Sequence, residues 1–414
     1  MQKYQFIILI CYLLVEGFEY WLRFINLRYM KKYGAEVPAG FEGYIDGSVL
    51  KKTQAYTLDM SRLSLAESVF SSAVMIIFLF GGLLNAYNNW IGSFKLSFVL
   101  QGAVFFLILS FVNTGLSIPF SLYRTFRIEN RYGFNTMTPA LWLMDLVKSL
   151  FLSALILGIA LFAGLYIVRQ SPDYWWLLVW GFFFILSIFL MYISPYVIEP
   201  LFNKFTPLEG GELDMKIREM MKKVGIRVSR VFKIDASKRS THTNAYFTGI
   251  GRTKRIVLFD TLIEIMEQNE ILAVLAHEAG HWKKKHVLKR IVAFECLSLV
   301  GAYVAFRILR TDILSNIFHI QGETFFAKLI ILGFIFGIVS FPFTPVSSYI
   351  SRRHEDEADR FASELSGHPE SLAISLIKLS KDNLSNLHPH PFYAKFYFSH
   401  PPIVERIRRL RGLH

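Results

Sequence analysis

"LAVLAHEAGHWKKKH" (residues 272–286) sets two histidines four positions apart around a glutamate, at the end of an apolar run. On a helix, positions i and i+4 lie one above the other on the same face. His277 and His281 can therefore turn both imidazoles toward one ion, close to the geometry that zinc requires. Glu278 sits beside such an ion without bonding to it, where it can take a proton from water. The preceding "ILAVLA" calls for burial rather than for an exposed polar turn.

Two histidines do not hold a catalytic zinc; a third protein ligand and an open position are needed. Candidates lie in "SSYISRRHEDEADRFA" (347–362), where Glu355 and Asp359 are again four apart on a predicted helix. One of the two can bind metal while the other orients a ligand histidine. His286 and His354 compete as ligands, but beside "KKK" and "RR" they read as solvated side chains.

The rest of the chain is largely apolar. Of 414 residues 53% are hydrophobic, 39 of them phenylalanine, and several uncharged runs reach bilayer-spanning length, about 20 residues. Spans are predicted at Phe6–Phe24, Val69–Tyr87, Leu96–Leu122, Leu150–Val168, Tyr174–Val197, Ile291–Leu309 and Phe326–Ile350. The fold class is thus a mainly α, polytopic membrane protein of about seven helices. A net charge of +13 raises the question of nucleic acid. The basic residues, however, fall in the connections between spans, as the positive-inside rule and lipid headgroups demand, so no nucleic-acid partner is expected. The loop from Leu27 to Arg62 and the one after span three are rich in Lys and Arg, whereas those after spans two, four and six are nearly free of them. Odd-numbered spans then end in the cytoplasm, and so does the segment holding His277. Cys11 and Cys296 both lie inside spans, which excludes a disulfide framework. The first apolar run lacks a basic leader and a small-residue cleavage site and reads as an uncleaved span.

Four segments follow. Residues 1–202 carry spans one to five, 203–290 form a small α+β unit with the HExxH helix, 291–350 carry spans six and seven, and 351–414 complete the site. Within the α+β unit, "GELDMKIREMMKKVG" (211–225) is an amphipathic helix stopped by Gly225. "SRVFKIDAS" (229–237) and "NAYFTGIGRTKRIVLFD" (244–260) alternate around a Gly-containing turn, a hairpin signature. From Thr261 to His286 one helix is predicted. Glu16, Glu19, Asp145 and Glu295 lie in or beside spans, where acids normally face a water-filled cavity or a partner.

"HEAGHW" (277–282), "SRRHEDEADRFA" (351–362), "THTNAYFTG" (241–249) and "FSHPPIVERI" (398–407) resemble the signature segments of the integral-membrane CAAX prenyl protease family, zinc endopeptidases that trim prenylated C-termini. "FRIENRYGFNTMT" (126–138) and "SPYVIEPLFNKFTPLEGGEL" (194–213) are similar to it as well, so the likeness runs in order along the chain. The resemblance implies a ring of helices around an intramembrane chamber, with one zinc per chain. It makes His277, His281 and Glu355 the ligands, Glu278 the general base and Asp359 the group that orients a ligand. Asn244 and His400 become polar groups facing the scissile carbonyl, and Arg406 a further site residue. Both side chains can donate to an oxyanion, and a strand opened by Asn244 could pair with an extended peptide.

The implied substrate is a prenylated CAAX peptide or protein, losing its C-terminal tripeptide, with a monomer in the lipid bilayer as the working unit. The compartment would be the endoplasmic reticulum membrane in a eukaryote or the inner (plasma) membrane in a bacterium, with the site facing the cytoplasm. The alternative is a quality-control membrane metalloprotease that cuts misfolded or translocation-stalled membrane proteins. A transporter or scaffold with a vestigial HExxH is disfavoured by the full set of polar segments.

Overall fold

The computed structural model describes residues 3–208, 210–249, 253–322 and 324–412. Among these, seven helical segments are long and apolar enough to cross a membrane: Lys3–Tyr33, Gly47–Phe80, Phe98–Tyr132, Pro139–Gln170, Trp175–Phe202, His286–Leu309 and Phe325–Ser366. Each contains one of the predicted spans or most of it, but several run well beyond the bilayer. Much of the stretch from Leu27 to Arg62, expected as loop, is helix: the first span continues to Tyr33 and the second begins at Gly47. Asp46 starts the second by accepting from the amides of Ser48 and Val49, a side-chain cap that apolar periodicity does not reveal. Thr138 followed by Pro139 starts the fourth in the same way. The second span stops at Phe80, and Leu83–Gly92 is a separate helix. Spans six and seven are joined through a further helix, Ile313–Phe318.

The spans pack on one another locally, with Leu79, Phe105, Leu165 and Phe326 buried between spans two, three, four and seven, and leave most of their surface uncovered. In their most apolar 18-residue windows only 0–17% of residues are buried, whereas a helix in a packed bundle hides one whole face. Acids in the spans find partners there. Ser72 donates to Glu16 at 2.9 Å, Glu19 lies 3.6 Å from Arg23, and Ser298 donates to Glu295 at 3.3 Å.

The α+β unit shares one core with the C-terminal segment and the residues around the start of the second span: Ile217, Val231, Ile256 and Ala276 are buried together with Ala362, Leu376, Ile407, Phe41 and Leu50. Its sheet holds β1 (Phe205–Pro207), β2 (Arg227–Ile234), β3 (Ala245–Thr248) and β4 (Thr253–Phe259) in the order β1-β2-β4-β3. The predicted hairpin is only half present. β3 and β4 pair antiparallel, but β2 pairs with β4 in parallel, reached by a crossover past β3. The Gly-containing turn of the hairpin falls partly on residues 250–252, outside the described residues. The predicted helix from Thr261 is split into Asp260–Ile265 and Gln268–Lys283, because Glu267 and Glu270 form a reciprocal capping box that opens a new helix.

Polar clamps bind this unit to the spans. Arg239 donates to both oxygens of Asp145 at 2.7 and 3.0 Å, and Tyr246 donates to Glu199 at 2.7 Å. His242 lies 3.4 Å from Glu129 at the end of the third span. Asp145 therefore serves as an anchor for the cap.

Candidate metal centre

The site forms where the HExxH helix (Gln268–Lys283) crosses the helix that ends the seventh span (Thr344–Ser366). Small residues make the crossing close. Ala276, Ala279, Ala358 and Ala362 are all fully buried. A Cβ on Gly280 would stand only 3.0 Å from Ala358 Cα and 3.2 Å from its carbonyl oxygen.

This approach brings His277, His281 and Glu355 together, with one ligand atom of each within 4.8 Å of the others. The contacts are tighter than that bound. His277 Nε2 lies 3.2 Å from His281 Nε2 and 3.3 Å from Glu355 Oε2, and His281 Nε2 lies 3.3 Å from Glu355 Oε1. For bonds of about 2.0–2.1 Å in a tetrahedron, neighbouring ligand atoms stand roughly 3.3–3.4 Å apart. The three donors thus have the spacing of three corners of a zinc site. Glu355 Oε2 is buried and without a hydrogen-bond partner among the described residues, as a lone pair reserved for a cation would be. The donor set and spacing fit zinc.

The surroundings orient the donors. His277 Nδ1 lies 2.8 Å from Asp359 Oδ1, which places a carboxylate where it favours the proton on Nδ1 and leaves Nε2 facing the other donors. Burial opposes protonation of His277, but Asp359 and Glu355 outweigh it and push its pKa up to about 9. Asp359 is itself held by Arg406, whose Nε and Nη2 donate at 2.8 and 2.7 Å. Arg406 is buried, so this pair is a fixed strut behind His277. Arg406 Nη2 also comes within 3.9 Å of Glu355 Oε2.

His281 has a counterpart to Asp359 that sequence reasoning missed. His286, expected as solvated, is buried; its Nδ1 lies 3.1 Å from His281 Nδ1 and its Nε2 3.1 Å from Glu357. His354 stacks on His286 with ring centroids 4.0 Å apart. Neither of these two histidines joins the ligand cluster; they stand behind it. The signal was present in the spacing, since His286 follows His281 by five residues across the break at Lys285, a left-handed residue with φ of 59°.

Glu278 lies beside the cluster, partly buried, and burial pushes its carboxyl above the usual carboxylate range. His400 Nε2 stands 3.3 Å from Glu355 Oε1 while its side chain is 61% exposed, so it borders the open side of the cluster. Asn244 is exposed and opens β3, the edge strand that packs against the HExxH helix, and its Oδ1 accepts from the amide of Ala245 at 2.8 Å.

Residues 26–204 match the CAAX prenyl protease N-terminal family, five membrane helices, and residues 207–414 match peptidase family M48. This chain is a CAAX prenyl protease family member. It is 35% identical to CAAX prenyl protease 1 of Saccharomyces cerevisiae, over 92% of this chain and 90% of that one. It is also 32% identical to the uncharacterized metalloprotease YhfN of Bacillus subtilis, over 81% and 79%. The crystal structure of S. mikatae Ste24p superposes with a TM-score of 0.92 at 31% identity, covering 99% of both chains. Family membership makes the chain an integral membrane metalloendopeptidase and implies a metal, typically zinc.

Proposed function

We propose that this protease removes the C-terminal tripeptide from prenylated CAAX peptides, using one zinc held by His277, His281 and Glu355. The observation that carries the proposal is the 3.2–3.3 Å spacing of those donors at the end of a membrane span. Relatives named CAAX prenyl protease 1 support the substrate class. Residues 203–290 and 351–414 supply the site, and the spans in 1–202 and 291–350 supply the chamber for the lipid-bearing substrate. The chain acts as a monomer, with the site facing the cytoplasm, in the endoplasmic reticulum membrane of a eukaryote or the plasma membrane of a bacterium.

A bound zinc would supply Lewis acidity, polarising the scissile carbonyl and acidifying water. Glu278 takes the proton of the attacking water at its carboxylate and passes it to the leaving amine. Asp359 holds the Nδ1 proton of His277, and Arg406 holds Asp359. Asn244 and His400 donate to the developing oxyanion, and the free edge of β3 pairs with the extended substrate backbone.

That backbone recognition is indifferent to side chains, which favours a second reading: quality-control cleavage of any extended segment reaching the site, without need for a prenyl group. Matched peptides with and without farnesyl, given to purified protein of measured zinc content, separate the two. We expect prenyl-dependent cleavage and about one zinc per chain. Glu278→Ala should retain zinc and lose roughly 10²–10⁴-fold in turnover. Equal cleavage of both peptides would leave only the second reading, and normal turnover by zinc-loaded Glu278→Ala would refute the mechanism. Asn244→Ala and His400→Ala should each lose about 10²-fold in kcat with zinc unchanged. Parent rates in both would make these residues structural.

A further inference from the structure

A second cavity of about 570 Å³ lies away from the metal cluster, between the end of the fifth span and the outer face of the sheet. Its volume falls in the range of small-ligand sites, roughly 300–1,000 Å³. Lys204, Arg230 and Arg255 line it. None of the three cations has a carboxylate partner among the described residues. The nearby acids are engaged elsewhere: Glu199 accepts from Tyr246 at 2.7 Å, and Asp235 from the main-chain amide of Lys204 at 2.6 Å.

The sheet register sharpens the oddity. Arg230 on β2 is the direct neighbour of Arg255 on β4. Like charges side by side across a sheet repel, and no ion pair among the described residues offsets them. Arg255 is also fixed in place. Its guanidinium lies 4.5 Å from the Phe232 ring and 4.7 Å from the Tyr196 ring, and Nη1 donates to the Pro195 carbonyl at 2.7 Å. Stacking of this kind holds the planar fork while leaving its other N–H groups available. They have no acceptor among the described residues. Arg255 is thus the fixed cation of a concave site, with the exposed Arg230 and Lys204 at its border.

Its location selects the anion. Pro195 and Tyr196 belong to the last turns of the fifth span. Tyr192 and Tyr196 pair there with ring centroids 5.7 Å apart, and tyrosines gather at the headgroup level. A phosphate group arriving at that depth is presented by lipid. We propose that this cavity binds the phosphate of an anionic phospholipid headgroup, with Arg255 as the stacked fork and Arg230 and Lys204 closing on its oxygens.

The test uses the full chain, purified and delipidated in neutral detergent. It is incubated with phosphatidylcholine alone or with added phosphatidic acid, and retained lipid is read by native mass spectrometry. Lys204→Gln combined with Arg230→Gln removes two exposed cations without touching the stacked Arg255. Lys51→Gln with Lys52→Gln removes equal charge elsewhere. The parent and the control should retain phosphatidic acid over phosphatidylcholine. The Lys204/Arg230 variant should retain it roughly tenfold less or weaker still, from the loss of two surface cations. Undiminished phosphatidic acid on that variant, or equal retention of phosphatidylcholine by the parent, would overturn the site. Displacement by millimolar inorganic phosphate would overturn the lipid as its source and assign a free phosphate instead.

Discussion

The helix crossing at the metal centre and the ring of membrane spans are both helical, yet they are built on opposite rules. At the crossing, alanines and Gly280 let two backbones nearly touch, and Asp359, Arg406 and His286 stand close behind the ligands. Around the ring, glycines such as Gly158, Gly181 and Gly301 have nothing within 4 Å of where a Cβ would stand. A metal needs donors held to a few tenths of an ångström; a chamber for a lipid-bearing peptide needs space. The chain meets both needs by carrying the last helix of the ring out of the bilayer, so that Phe325–Ser366 is a membrane span at one end and half of the metal centre at the other.

The sharpest way to break this contrast is to place the same substitution in both regions. Gly280→Val drives a branched side chain into the Ala358 backbone, which cannot yield as a flexible side chain would. We expect zinc content near background and no cleavage. Gly301→Val in the sixth span, whose Cβ meets open space, should keep both at close to the parent level. Similar outcomes at the two glycines would mean that the crossing is not the rigid element.

Next in size are the residues behind the ligands. Arg406→Gln leaves Asp359 as a buried carboxylate without its strut and loosens His277. Loss of such a supporting partner weakens metal affinity by roughly 10–100-fold, measurable by competition with a chelator. His286→Ala removes the support of His281 and should fall at the lower end of that range, because His281 is less buried than His277. If His286→Ala binds zinc like the parent, its contact with His281 is incidental packing.

The same contrast explains what could be read from sequence. The four-residue spacings of His277/His281 and Glu355/Asp359 survive any packing, because helix periodicity alone puts each pair on one face. The spans were legible from apolar length, but their extensions were not: Asp46 and Glu267 restart helices through side-chain caps within polar stretches. The parallel pairing of β2 with β4 was hidden too, since alternation reports a strand without naming its neighbour. His286 was misread because its burial depends on His354 and Glu357, some seventy residues away in the chain.

The smallest expected effect concerns the joint between the two regions. His242 stacks on Phe134 with ring centroids 4.2 Å apart, its Nε2 lies 3.4 Å from Glu129, and its Nδ1 lies 2.7 Å from the Asn383 side-chain oxygen. Both ring nitrogens thus face acceptors, which the imidazolium satisfies and the neutral ring cannot. Glu129 chiefly, then Asn383, raises the His242 pKa against the opposing pull of burial. Of the other groups near this joint, Tyr56 donates to Glu129 at 2.8 Å, and Arg239 and Asp145 are paired with each other. A group with a raised folded-state pKa stabilises fully below its unfolded value, about 6.5 for histidine, and loses that contribution as pH rises through the folded value. His242→Gln should therefore lower the thermal midpoint more at pH 6 than at pH 9. The side chain is 37% exposed, and screening limits such a pair, so the difference should not exceed about 2 °C. An equal shift at both pH values would show that His242 joins cap and membrane by packing on Phe134 rather than by charge.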